Sequence, residues 1–165
     1  MQFFIPFQVF VWLIACIFVS RELDMGRMME ARTIVQGGLD AAVLAGAHMQ
    51  ERVPTAYDSF GYPKDWKMVI DPDVARAKAL ETWMDNVEHY YSTPLYDLAS
   101  VTNVTFTVSP DQTEITGNMV LKMKQTASVH FIKSAFGETI DFGEVEIPVK
   151  AVAVIKPEDG NIITP

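Results

Sequence analysis

The chain holds a single cysteine, Cys16, which excludes an internal disulfide framework and a structural zinc site built on several thiolates. Positive charge is also scarce. Thirteen Lys and Arg face twenty-one Asp and Glu, a net −8, and such a balance lacks the basic footprint that phosphate backbones require. Nucleic acid is therefore not an expected partner. The three histidines, His48, His89 and His130, lie far apart and form no HExxH pair. No P-loop, dinucleotide-binding glycine fingerprint or Gly-x-Ser-x-Gly elbow occurs. The expectation is a non-enzyme without cofactor or metal.

The sharpest absence is local: residues 1–20, MQFFIPFQVFVWLIACIFVS, carry none of the chain's charges. As a helix at ~1.5 Å per residue, twenty residues span the ~30 Å hydrocarbon core of a bilayer. Phe3, Phe4, Phe7, Phe10, Val11, Trp12, Ile14 and Phe18 make it apolar on every face, and Pro6 is tolerated near a helix start. A secretory signal peptide shares this signature but needs a basic n-region, and the first cation here is Arg21. Leu13-Ile14-Ala15-Cys16 fits a lipoprotein signal weakly and meets the same objection. A permanent anchor or inter-subunit helix is the favoured expectation, with an apolar membrane or filament-core setting for residues 1–20.

The remainder has the composition of a folded domain, since the whole chain is 49% hydrophobic and 21% charged. Residues 21–50 continue the helix without a break signal. Met28, Ala31, Val35, Leu39, Ala42, Gly46 and Met49 recur at steps of three and four, while Thr33, Gln36 and Asp40 fall on another face. A continuous helix over 7–50 would be roughly 66 Å long. Two small-residue rows, Gly37/Ala41/Ala45 and Gly38/Ala42/Gly46, allow close approach of another backbone, either the head's or a neighbouring subunit's. Gly37-Gly38 is also a weak point where the helix is expected to bend or melt. Arg21, Glu22, Asp24, Arg27, Glu30 and Arg32 form a balanced belt, read as mostly solvated.

Residues 51–70, rich in Pro, Gly and Tyr, read as a connector. Asp71-Pro72-Asp73 then opens a helix over 72–91, with an apolar stripe at Val74, Ala77, Leu80, Trp83, Met84, Val87 and Tyr91. Capping explains both acids more simply than calcium does. Ser92-Thr93-Pro94 ends the helix. From residue 101 the period changes to two. Strands are expected over 101–108, 114–124 and 144–156, with a bulge at Gly117 and an edge position for Pro148. A helical turn over 130–136 stops at Gly137, and 156–165 is a surface tail. The fold class is α+β: a long N-terminal helix over 1–52 and an acidic head over 53–165, built from one or two helices and an antiparallel sheet. The head carries nine positive and sixteen negative charges. Asn103-Val104-Thr105 matches a glycosylation sequon, which makes Asn103 a candidate modification site.

Apolar rod, amphipathic rod and small acidic head together resemble a type IV pilin-like subunit. Asp24-Met25-Gly26-Arg27, Ala31-Arg32, Gln36, Asp40-Ala41-Ala42 and Leu44-Ala45-Gly46-Ala47 resemble the N-terminal signature of the TadE/TadG-like proteins, pilin-like components of tight-adherence (Flp) pili. Phe131 to Gly137 followed by a closing strand is similar to the family's usual ending. In most pilins the fifth residue of the mature chain is a glutamate; the fifth residue here is Ile5. The resemblance implies insertion in the inner membrane with the head outside, contact with a pilus assembly machinery, and a homo-oligomeric helical filament outside the cell, such as serves adhesion. It leaves two alternatives open: a membrane-retained minor pilin or pseudopilin that primes assembly, and a membrane-anchored binding module.

Overall fold

A computed structural model describes residues 4–91, 99–137 and 143–164. The apolar run and the amphipathic stripe form one helix, α1 (Phe4–Ala47), whose 44 residues make a rod of about 66 Å. It passes through Gly37-Gly38 without melting. Packing on the following residues supplies what glycine's low propensity withholds. The helix stops at Ala47 rather than Gln50. There the Gln50 amide donates to Ala47 O at 3.0 Å and to Gly160 O at 2.9 Å, which satisfies a terminal carbonyl and turns the chain into a strand.

Residues 51–70 are not a connector. They belong to an antiparallel hairpin of β1 (Gln50–Tyr57) and β2 (Pro63–Ile70), and β1 crosses the expected division at 52/53. Pro54 and Pro63 are tolerated because a two-stranded ladder leaves each strand one free edge. The turn is ordered by Asp58, whose carboxylate accepts from the Phe60 and Tyr62 N–H groups at 2.9 Å, with Gly61 at φ +84°.

The helix α2 (Pro72–Tyr91) starts as the sequence indicates, with Asp71 Oδ1 accepting from the Asp73 and Val74 N–H groups at 3.0 and 3.1 Å. Ser92-Thr93-Pro94 lies outside the described residues. The expected stripe of α2 holds only at Trp83 and Val87: Ala75 and Ala79 are buried in its stead, while Val74, Ala77, Leu80 and Met84 are exposed. Close approach to α1 selects the small residues, because Gly38 meets Trp83 and Gly46 meets Ala75 and Ala79.

A four-stranded antiparallel sheet follows in the order β3 (Ala99–Val108), β4 (Glu114–Lys124), β5 (Glu144–Ile155), β6 (Ile162–Ile163). The expected surface tail thus contributes a short strand. Since β6 pairs only Val154 and Ile155, Pro148 stands on an open edge among the described residues. Gly117 pairs regularly; the irregularity falls between Thr102 and Thr105, where Asn103 adopts φ +56°. Glycine at 117 serves closeness instead, as a Cβ there would sit 2.9 Å from Leu39 Cδ1 and Val43 Cγ1. The turn before β4 is tied by the Ser109 and Thr113 hydroxyls, which hold the Asp111 carboxyl below its usual range. Between β4 and β5, α3 (Thr126–Phe136) begins four residues earlier than expected and ends at Gly137 in the left-handed region.

The core joins all of this. Ile115, Leu121 and Met123 of β4 and Val149, Ala153 and Ile155 of β5 pack with Val35, Leu39 and Val43 of α1 and Trp83 of α2. The C-terminal half of α1 is thus held between α2 and the sheet, and the two expected parts share one hydrophobic interior.

Candidate functional site

The N-terminal end of α1 leaves a long apolar surface uncovered, and the β1–β2 hairpin exposes a smaller aromatic group, Tyr57, Phe60, Tyr62 and Trp66. From residue 6 to 19 all side chains are exposed except half-buried Leu13 and Cys16. Phe7 is 64% exposed, Trp12 71% and Phe18 63%, with Phe10, Val11 and Ile14 also open. These residues form a patch around the whole helix, far beyond the isolated exposed apolar residues of an ordinary surface. Phe3 lies outside the described residues; Phe4 belongs to α1, and its side chain is not described. Among the described residues, no helix is long and apolar enough to cross a membrane. The described charge-free stretch, residues 4–20, measures about 25 Å at ~1.5 Å per residue, against a hydrocarbon core of ~30 Å.

The two small-residue rows separate. Gly38, Ala42 and Gly46 face the head, where they admit Trp83, Ala75 and Ala79. Gly37 has nothing within 4 Å of where a Cβ would be, and Ala41 and Ala45 are half-buried. The structure therefore brings the Gly38/Ala42/Gly46 row against the head and leaves part of the Gly37/Ala41/Ala45 row turned outward.

Of the signature residues, Asp24 departs most from expectation. It is not solvated in a charge belt but only 4% exposed. Its carboxylate accepts from the Ala127 and Ser128 N–H groups, both at 2.9 Å, and from the Ser128 hydroxyl at 2.8 Å. Gln125, at the helix's own cap position, offers no side-chain bond. Asp24 thus caps α3 from about a hundred residues away, meeting the N–H groups at its positive end. Arg27 adds a bond from Nη1 to Thr126 Oγ1 at 3.3 Å. Asp40 accepts from Gln36 Nε2 at 2.8 Å, and the same amide reaches Lys150 O at 3.0 Å, tying α1 to β5. Gly26 is open to solvent.

Removing the distant cap is an accessible test. Asp24→Ala is expected to release α3 while leaving the sheet folded, since two N–H groups and a hydroxyl lose a charged partner. Bonds to charged groups contribute about 1.5–3 kcal/mol each at most. Hydrogen exchange should therefore quicken more than tenfold in α3 and stay unchanged in β4. Equal protection of α3 in both proteins would show that Asp24 is not what holds it.

Asn103 is exposed on the edge strand β3, so the sequon asparagine is accessible. His48 and His130 are exposed and apart, the side chain of His89 lies outside the described residues, and no group of potential metal ligands occurs among the described residues. No protein-family model, curated protein or solved structure matches the chain.

Proposed function

We propose that the chain is the structural subunit of an extracellular type IV pilus-like filament of the tight-adherence kind. Subunits associate through the apolar ends of α1, and the heads lie outward. The observation that supports this is the division of α1: its C-terminal half is buried in the head, while its N-terminal end presents bulky apolar side chains on every face. Such a surface must be covered in any working state, by lipid before assembly and by other copies of α1 afterwards. Exchange between two apolar surroundings avoids the transfer cost that water would impose. The inner membrane and the assembly machinery are the partners this reading requires before polymerisation.

Electron microscopy of native material tests it directly. A regular helical polymer in which this chain is the dominant component is the expected result. A few copies per filament would favour the priming-subunit alternative. A soluble head that retains ligand capture after removal of the charge-free residues 1–20, with no polymer from the full chain, would favour the anchored binding module.

A further inference from the structure

The position of α3 carries a consequence for the membrane stage of this proposed subunit, and the inference rests on that reading. Its first turn is fixed at Asp24 and Arg27 of α1. From there it heads back along α1. Phe131 and Ile132 line a groove of about 330 Å³ together with Ile17, Ser20 and Arg21. The second half of α3 therefore stands beside the boundary at which α1 changes from charge-free to charged. Any bilayer that receives α1 up to Ser20 must meet α3.

The charges of this region suit an anionic surface. Residues 115–137 contain no Asp or Glu, although the head is acidic overall, and they include Lys122, Lys124, His130 and Lys133. Lys122 is occupied by Glu146 at 2.6 Å, and Lys124 pairs in register with Glu144. On α3 itself His130 and Lys133 are exposed, Arg21 of α1 lines the groove with Phe131 and Ile132, and the Asp24 charge is turned into the α3 N-terminus. Glu22 is the opposing exposed acid of the belt at this level, and Glu144 lines a cavity with His130, so the headgroup contact falls to Lys133 and Arg21. We infer that the C-terminal half of α3 enters the headgroup layer beside the emerging α1 and holds anionic lipid headgroups through Lys133 and Arg21. Amphipathic helices with basic residues at such a boundary are held by buried apolar area together with attraction to anionic lipid.

The test uses the full chain with Cys16→Ser, reconstituted in phosphatidylcholine vesicles with and without phosphatidylglycerol. A fluorophore is attached at one of three introduced cysteines: Ala135→Cys on α3, Thr107→Cys on the exposed face of β3, or Trp12→Cys on α1. Brominated lipid should quench the probes at 12 and 135 and spare the one at 107. Quenching at 135 should rise with phosphatidylglycerol, and Lys133→Ala should weaken that rise about fivefold, the worth of one lysine near an anionic surface. Lys133 is exposed, so this variant does not disturb the core. Quenching at 12 but not at 135 would overturn the inference and leave the membrane reading intact. No quenching at 12 would remove the membrane reading and the inference with it. Quenching at 135 indifferent to phosphatidylglycerol and Lys133 would overturn the headgroup contact.

Discussion

Replacing Gly46 with valine is expected to lower the stability of the folded chain by about 2–3 kcal/mol, whereas Gly37→Ala in the same helix should raise it by ~1 kcal/mol. Both glycines sit inside α1, where each weakens the helix relative to alanine. What separates them is the surroundings. A Cβ at position 46 would lie 2.6 Å from Ile115 Cδ1, 3.0 Å from the Ala75 carbonyl oxygen and 3.3 Å from Ala79 Cβ. The isoleucine terminus can rotate away; the α2 backbone cannot. The branched methyls of valine deepen the overlap, and overpacking of this kind typically costs 1–3 kcal/mol, more than the small gain in helix propensity. At Gly37 no atom lies within 4 Å, so only the propensity gain remains. Denaturation midpoints of the full chain in detergent should therefore move in opposite directions. Shifts of the same sign would mean that close approach of α1 and α2 is not what glycine is there to permit.

That pair also shows why the phase of α2 was hard to read. Val74, Leu80 and Met84 are the more hydrophobic set, and periodicity assigned them to the interior. The interior instead takes Ala75 and Ala79, because a helix carrying Gly38, Ala42 and Gly46 approaches too closely for leucine. Size complementarity between distant segments decided the matter, and a single helix's pattern does not contain it. The bounds of α2 and β4 were legible for the opposite reason. Asp71-Pro72-Asp73 is a local cap, and Ile115, Met119, Leu121 and Met123 alternate within one strand. The hairpin over 50–70 was missed because Pro54, Gly61 and Pro63 carry loop signals, which only a ladder with free edges tolerates.

The candidate surface was legible where composition alone defines it. Absence of charge over residues 1–20 marked the apolar end, and Phe7, Phe10, Trp12 and Phe18 are indeed uncovered. Asp24 was singled out through a resemblance, yet its work was not visible in the sequence. Its partners, Ala127 and Ser128, stand more than a hundred residues downstream. One faint signal existed: α3 opens at Gln125 without a Ser, Asp or Asn cap of its own, and a helix start lacking a local acceptor invites a distant one.

The double substitution Phe7→Asp with Val11→Asp should abolish the polymer and leave the subunit folded. The two residues are four apart on α1, 64% and 48% exposed, so they share one face of the uncovered end and touch no part of the core. Exposed substitutions of this kind change stability by no more than ~0.5 kcal/mol, so the thermal transition of the head should be unmoved. Assembly is another matter. Each carboxylate placed at the middle of an apolar environment costs about 2.5–3.5 kcal/mol even where the helix adapts. Two of them remove ~5–7 kcal/mol from every inter-subunit contact, a loss of at least about a thousandfold in association. Paired lysines at 7 and 11 should be equally damaging, whereas Phe7→Leu with Val11→Ile should polymerise, since apolar character rather than a particular shape is required. Long filaments from the aspartate variant would show that this face of α1 is not enclosed in the polymer. A variant that loses filaments together with the head's thermal transition would instead locate the damage in folding, against the separation of rod and head on which the filament reading stands.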